Sequence, residues 1–242
     1  MSGIALSLAA VRARLVRAMA SAGRASDSIC LVAVSKFQPA SAIREAYAAG
    51  QRDFGENYVQ ELQGKAAELA DLPDLRWHMI GHLQRNKARG VTPIASLVHT
   101  VHSLELAREL DKRAAGISLV GARRFLAEDP RLSVLVEVNV GGEAQKSGCP
   151  KETLPEILSA LEQAQNLNLT GLMCVPPHTS DPGGARPFFD ELTRLRELHG
   201  GAKRLPELSM GMTSDLEYAV AAGATIVRVG TAIFGERPKA GA

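Results

Sequence analysis

The chain has 242 residues, of which 45% are hydrophobic and 22% charged, and its formal net charge is +2. This composition is ordinary for a globular protein with one full core, and so small a net charge argues against a large nucleic-acid-binding surface. Three cysteines without C-x-x-C spacing argue against a disulfide framework and predict a cytoplasmic setting, and no apolar run is long enough to span a membrane.

Short apolar runs alternate with helical patterns along the chain. Residues 1–19 predict an amphipathic helix and lack the features of a signal peptide. A further helix is predicted to begin at Pro39 and stop at Gly50, and Ser214 and Glu217 have capping-box spacing ahead of another. The candidate strands are residues 30–36, 53–58, 76–84, 96–103, 133–141, 169–176, 206–211 and 224–235.

Eight strands that alternate with helices predict a TIM-type (β/α)8 barrel, and the length fits one such domain. We expect residues 1–242 to form this single domain, with a loose tail at about 237–242. An open doubly wound sheet is the alternative, but the G-x-G-x-x-G pattern typical of it does not follow the first strand. Residues 116–131 are the least regular and are interpreted as an extension of a helix or a short added one.

Active sites of TIM barrels lie at the carboxyl ends of the strands, and phosphate is often bound after strands 7 and 8. Here Gly211, Thr213 and Ser214 follow the seventh strand, and Gly230 and Thr231 end the eighth. Taken singly, the glycines are ordinary turn residues and the serine an ordinary helix cap. Taken together at these two strand ends, they favour a phosphate site.

Two basic residues point to the same mouth of the predicted barrel. Arg228 shares a face of the eighth strand with Gly230, and a buried guanidinium needs either a carboxylate, with Glu137 and Asp215 as candidates, or a ligand. Lys36 ends the first strand. A lysine withdrawn from water has a lowered pKa and can form a Schiff base, although a lysine that simply reaches solvent is the plainer interpretation.

A phosphorylated aldehyde would satisfy the lysine, the phosphate site and the arginine together, and pyridoxal 5′-phosphate (PLP) is such a ligand. Metal binding is not expected: His78 and His82 have the spacing of a zinc-binding helix but lie on a predicted strand without the required glutamate, and His99 and His102 point to opposite faces.

Long motifs extend the evidence over nearly the whole chain. They are AVSKFQP, FGENYVQE, WHMIGHLQRNK, VHTVHSLELA, EVNVGGEAQKSG and LSMGMTSDLEYAVAAGATIVRVGTAIFG. With these motifs the sequence resembles the pyridoxal-phosphate homeostasis protein family, which consists of single-domain PLP-binding barrels similar to the amino-terminal domain of alanine racemase.

The resemblance assigns roles to eight residues. It implies that Lys36 forms the Schiff base with PLP and that Arg228 faces the pyridine nitrogen. It places phosphate-binding segments at the ends of strands 7 and 8, and it implies polar residues that line the cofactor pocket. The phosphate segments contain Ser209, Thr213, Gly230 and Thr231, and the lining residues are Asn57 and His82.

The resemblance further implies a monomeric, non-catalytic PLP carrier that acts in vitamin B6 homeostasis and supplies apo PLP-dependent enzymes. A single-domain PLP-dependent amino-acid racemase is the alternative, but a racemase needs a second acid/base, and Tyr58, the tyrosine nearest the mouth, follows Asn57 on the opposite strand face. A Schiff-base aldolase acting on a sugar phosphate is a third possibility.

Overall fold

The computed structural model describes residues 3–117, 129–143 and 145–236. In these residues, eight parallel strands form a closed barrel in sequence order, with β8 paired to β1. The strands are β1 (Cys30–Val34), β2 (Asp53–Glu56), β3 (Arg76–Met79), β4 (Ala95–Val101), β5 (Leu132–Glu137), β6 (Leu167–Met173), β7 (Glu207–Ser209) and β8 (Ile226–Val229). The predicted (β/α)8 barrel is therefore confirmed.

Helices surround the barrel, with short 3₁₀ turns at Arg85–Gly90, Lys151–Thr153 and Pro182–Ala185. The helices are α1 (Gly3–Ser21), α2 (Ala40–Ala48), α3 (Val59–Glu68), α4 (Leu104–Ala114), α5 (Leu154–Glu162), α6 (Arg186–Leu198), α7 (Gly201–Arg204), α8 (Leu216–Ala221) and α9 (Thr231–Phe234). Within the described ranges, no helix is both long and apolar enough to cross a membrane.

The apolar runs become strands because both of their faces are buried, as parallel sheets require. Every residue of β4, β5 and β8 is buried. One face of the sheet packs on the surrounding helices and forms the main core. The other face forms a small layer inside the barrel, to which β1, β4, β5, β6 and β8 each contribute one residue: Val32, Leu97, Leu135, Met173 and Ile226.

The amino-terminal helix confirms its predicted amphipathic character. Its buried residues recur at helical spacing, from Leu8 and Val11 to Leu15 and Met19. The helix packs against α2, α8 and α9, and so covers the place where the first and last strands meet.

The ends of several elements differ from the predictions. The eighth strand stops at Val229, and the residues predicted to continue it form α9, in which the backbone N–H of Ile233 bonds to the carbonyl of Gly230. The third strand likewise stops at Met79. The predicted tail at 237–242 and most of the irregular segment at 116–131 lie outside the described residues.

The capping box predicted at Ser214 and Glu217 is wrong. Helix α8 begins one residue later, with Asp215 in the N-cap position. The Asp215 carboxylate accepts a hydrogen bond from the backbone N–H of Met212 at 2.6 Å and so closes the turn before the helix. Glu217 points away from the cap and pairs with Arg14 of α1.

Candidate functional site

A cavity of about 550 Å³ opens at the carboxyl ends of the strands. This volume is within the usual range for small-molecule sites. Polar and apolar residues from β1, β2, β3, β6, β7 and β8 and the segments after them line it: Val34, Lys36, Gln38, Asn57, Ile80, Val175, Met212, Thr213, Ser214, Arg228, Gly230, Thr231, Phe234 and Gly235.

Lys36 lies just beyond the end of β1, half-buried in the wall of this cavity. The next residue, Phe37, has a φ of 63°, in the left-handed region that side chains other than glycine rarely adopt. Its backbone N–H donates to the Glu61 carboxylate at 2.8 Å, which holds the turn in this conformation. Lys36 thus stands directly before a constrained turn.

Below this turn, a second lysine ties the end of β1 to α3. Lys65 donates to the carbonyl of Ser35 and to Glu56, both at 2.8 Å, and to Glu61 at 2.7 Å. Ser35 also donates to Glu56. Burial raises the pKa of Glu56, and its hydrogen bonds from Lys65 and Ser35 oppose that rise. This network fixes the strand end that carries Lys36.

The segments after the neighbouring strands β7 and β8 both line the cavity. Thr213 and Ser214 follow β7, and Gly230 and Thr231 follow β8, with Thr231 beginning α9. Arg14 of α1 donates to the carbonyl oxygen of Thr213 at 2.6 Å and so holds this segment in place. The two hydroxyl-bearing segments predicted for phosphate are therefore brought together.

Arg228 reaches the cavity from the middle of β8 although only 4% of the residue is exposed. It donates to the Ser209 hydroxyl at 2.6 Å and to the carbonyl of Cys174 at 2.9 Å. Of the two alternatives for Arg228, the ion pair with Glu137 or Asp215 is not found within 4.0 Å in the described part of the chain. Burial lowers the pKa of Arg228, and the two carboxylates act on it only from a distance.

Asn57 carries a polar atom that is ready for a ligand. Its side-chain Oδ1 is buried and makes no hydrogen bond within the described residues. A buried polar atom without a partner is costly, and such atoms in a cavity wall favour ligand binding. Gly81 allows this arrangement, because a Cβ atom at position 81 would overlap the Asn57 carbonyl oxygen.

Two of the eight predicted site residues lie outside the cavity lining. Ser209 is fully buried behind Arg228, between that residue and His99. His82 is exposed at the rim, where its ring stacks on His102 with 4.6 Å between centroids and its Nδ1 lies 3.3 Å from the Ser147 hydroxyl. The remaining six, from Lys36 to Thr231, line one cavity.

Several members of the lining carry no signal in the sequence, among them Gln38, Met212 and Phe234. Phe234 falls within the predicted eighth strand, and the position of Gln38 depends on the unusual turn at Phe37. The described residues include no group of three or more His, Cys, Asp or Glu side chains arranged to hold a metal ion. Burial raises the pKa of Cys149 and of Cys174 to about 12, which makes both thiols unreactive.

A (β/α)8 barrel with an amine, a guanidinium and two hydroxyl-bearing segments around one cavity defines a small-molecule-binding TIM barrel. The family described as "Alanine racemase, N-terminal domain" matches residues 6–238. A protein of Pseudomonas aeruginosa named pyridoxal phosphate homeostasis protein is 48% identical over 239 residues, which cover 98% of this chain and 97% of that protein. The chain therefore belongs to the pyridoxal phosphate homeostasis protein family, within the family of alanine racemase amino-terminal domains.

Solved structures agree with this assignment. PipY of Synechococcus elongatus PCC7942, described without PLP, has a TM-score of 0.79 and 40% identity, covering 96% of this chain and all of that one. The structure of PipY with PLP bound has a TM-score of 0.73 and 39% identity, covering 91% of this chain. Alanine racemase of Corynebacterium glutamicum has a TM-score of 0.63 at 18% identity, a likeness of fold alone.

Proposed function

We propose that this chain is a PLP-binding protein that holds the cofactor on Lys36 as a Schiff base and serves intracellular PLP homeostasis and supply without a dedicated reaction of its own. One observation carries the proposal: a single cavity brings together Lys36, Arg228 and the two hydroxyl-bearing segments at Thr213 and Thr231. The name of the relatives and the PLP-bound structure of PipY support it.

The described residues fit the cofactor group by group. The amine of Lys36 can condense with an aldehyde, releasing water. The hydroxyls of Thr213 and Thr231 and the backbone at Gly230 offer donors to a phosphate. Asn57 Oδ1 offers an unused acceptor to a ring hydroxyl. The cavity volume of about 550 Å³ accommodates a ligand of this size.

Arg228 bears on the reactivity of the bound cofactor. Bound PLP supplies an electron sink that is strong only when its ring nitrogen is protonated. A guanidinium is always a donor and never an acceptor, so it keeps a nitrogen that faces it in the unprotonated state. Arg228 is fixed in the cavity wall by two hydrogen bonds. The site therefore holds the aldehyde but weakens its power to stabilise a carbanion.

The cavity also offers few groups for proton transfer. Its described lining includes Lys36 but no histidine, tyrosine or carboxylate side chain. Tyr58 lies outside it, 48% exposed, with its ring against Phe37 at a centroid distance of 5.4 Å. Racemisation requires an acid/base on each side of the substrate carbon, and a second one is missing from the described lining. This supports the assignment of PLP binding without a dedicated reaction.

The visible absorption spectrum tests the proposal. Wild-type protein with added PLP is expected to give a yellow band that borohydride reduces to a stable covalent adduct, and Lys36→Ala is expected to give none. Lys87→Ala is the matched control, because Lys87 lies in the 3₁₀ turn after β3 and outside the cavity lining. A Lys36→Ala variant that keeps the full band, or a wild-type protein without it, would contradict the proposal.

The racemase alternative is tested separately, by exchange of the α-hydrogen of amino acids with deuterated solvent. We expect no exchange above that of free PLP. Exchange at enzyme-like rates that Lys36→Ala abolishes would show that the chain is a racemase instead. We further propose that the protein is a cytoplasmic monomer. We also propose that it passes PLP to apo PLP-dependent enzymes, and loading of a purified apo-enzyme from the PLP-bound protein would test this transfer.

A further inference from the structure

A continuous line of hydrogen-bonded side chains crosses the interior of the barrel and ends at Arg228. It starts at Asp53, the first residue of β2, whose carboxylate lies 3.0 Å from His78 Nε2. His78 Nδ1 lies 2.9 Å from His99 Nε2, and His99 Nδ1 lies 2.8 Å from the Ser209 hydroxyl. Arg228 donates to the same hydroxyl at 2.6 Å. We call these five residues the interior chain.

The interior chain joins the two ends of the barrel. Asp53 and Arg76, which pairs with it at 2.6 Å, are the first residues of neighbouring parallel strands, and so lie at the amino-terminal mouth. Arg228 lines the cavity at the opposite mouth. The contact between His99 of β4 and Ser209 of β7 joins strands three places apart in the ring, and so passes through the interior.

All five members are protected from solvent. His78, His99 and Ser209 have no exposed surface, Arg228 is 4% exposed and Asp53 is 7% exposed. Buried hydrogen bonds of this kind polarise one another, and a single mismatch is costly because no water can compensate for it. The arrangement of protons along the interior chain is therefore strongly constrained.

The two ends of the interior chain fix the direction of its protons. Arg228 can only donate. Asp53 can only accept when ionised, and it is ionised: burial would raise its pKa, but hydrogen bonds from Arg76 and His78 outweigh burial and lower it. When both histidines are neutral, each group between the two ends has one donor and one acceptor available. Only one such neutral pattern satisfies every bond: the hydroxyl of Ser209 donates to His99, His99 donates through Nε2 to His78, and His78 donates through Nε2 to Asp53.

A cationic His78 is the competing pattern. It would donate to both neighbours and force His99 to donate through Nδ1 to Ser209. The Ser209 hydroxyl would then receive two donors, from His99 and Arg228, and its own proton would lose the acceptor that the structure gives it. This pattern also adds a cation to the buried interior of the barrel, where charge is costly, and only Asp53, at 3.0 Å, would offset it. The one-directional pattern is the consistent one.

We propose that the interior chain is a positioning device for Arg228. It holds the guanidinium at the cavity in one orientation, because the Ser209 proton points to His99 and leaves the Ser209 oxygen free to accept from Arg228. Asp53, His78, His99 and Ser209 are thus positioning residues that act through Arg228. The inference rests on the proposed function, because the group expected to accept the remaining N–H bonds of Arg228 is the PLP ring nitrogen.

The first test needs no cofactor. Long-range ¹⁵N–¹H correlation spectra of the ligand-free wild-type protein, labelled in its histidines, report which ring nitrogens carry protons. We expect both His78 and His99 to be neutral with the proton on Nε2. A doubly protonated His78, or a His99 protonated on Nδ1, would overturn the proposal whatever the protein binds.

The second test uses Ser209→Ala, which breaks the interior chain next to Arg228. The ¹⁵N signal of His99 Nδ1 is expected to shift as it loses its donor, and the absorption band of bound PLP is expected to move. Because Arg228 keeps only its bond to Cys174, we expect PLP to dissociate about 10-fold faster. Dissociation and spectrum equal to wild type would refute the positioning role.

Thr170→Val is the matched control, since it also removes a buried hydroxyl from a barrel strand, where Thr170 donates to the Val134 carbonyl. This variant is expected to leave the PLP band and its dissociation rate unchanged. Equal effects of the two variants would show that Ser209 acts only through general stability. If wild-type protein fails to bind PLP, the proposed function is wrong. The histidine spectra still test the proton pattern of the interior chain in that case.

Discussion

Lys65 provides a direct test of how the end of β1 is built. We expect Lys65→Met to lower the free energy of unfolding by about 3–5 kcal/mol, the usual cost of removing one partner of a buried ion pair. Only 10% of the Lys65 side chain is exposed, and that of Glu56 is fully buried. The substitution removes three hydrogen bonds and leaves the Glu56 carboxylate in the protein interior without its cation.

Urea unfolding followed by fluorescence measures this loss, because Trp77 is the single tryptophan and is buried in β3. Lys151→Met is the matched control: Lys151 pairs with Glu191 at 3.0 Å, with 38% of its side chain exposed, and its removal is expected to cost less than about 1 kcal/mol. The double variant Lys65→Met/Glu56→Gln is expected to recover much of the loss, because it also removes the unpaired charge.

The pH dependence gives an independent check. Burial already raises the pKa of Glu56, and removal of Lys65 removes the strongest interaction that opposes the rise. A carboxyl with a raised folded-state pKa contributes stability below its unfolded pKa and loses that contribution as the pH rises through the folded value. The variant should therefore lose stability more steeply than wild type above about pH 4.5. A loss below about 1 kcal/mol, or a double variant no better than Lys65→Met, would refute this account of the network.

Two further predictions concern Glu137 and Gly81. Burial raises the pKa of Glu137 to about 7, so ionisation opposes folding, and stability present below pH 4.5 is lost as the pH rises through 7. Between pH 4.5 and 8, wild type should lose about 3 kcal/mol more of its unfolding free energy than Glu137→Gln, and equal pH profiles in urea titrations would contradict this. Gly81→Ala should displace Asn57, cost about 1–3 kcal/mol and weaken PLP binding in a spectral titration. Gly64→Ala, in α3 with open space around it, should instead stabilise by about 0.5–1 kcal/mol, and a Gly81→Ala variant that behaves like it would contradict the steric argument.

Most strands were predictable from the sequence because they contain short apolar runs, as β1, β4, β5 and β8 do, and the eight predicted strands match the eight strands of the barrel. The positions of Lys36, Arg228 and Thr231 followed from the rule that parallel strands present their carboxyl ends at one mouth. What the sequence did not reveal depends on distant partners. The start of helix α9 and the N-cap at Asp215 each depend on a short turn, and packing decides at which residue that turn begins.

The interior chain also could not be predicted from the sequence. No local pattern links His78 to His99, because their contact depends on the register between β3 and β4 and on which faces point inward. Ser209 was expected in a phosphate-binding segment, yet it lies beneath Arg228, because it ends β7 level with Ile226, two residues before Arg228 on β8. Such contacts form only in the closed barrel, and the pattern of residues along one strand does not predict them.

The cavity draws its parts from both ends of the chain. Lys36 belongs to the first strand, whereas Arg228 and Thr231 belong to the last, and β1 pairs with β8 to close the ring. During synthesis the ribosome makes Lys36 almost 200 residues before Thr231. The nascent chain therefore has the Lys36 amine long before it has the arginine and hydroxyls around it. Under the proposed function, a complete PLP site exists only once the last strand has closed the barrel.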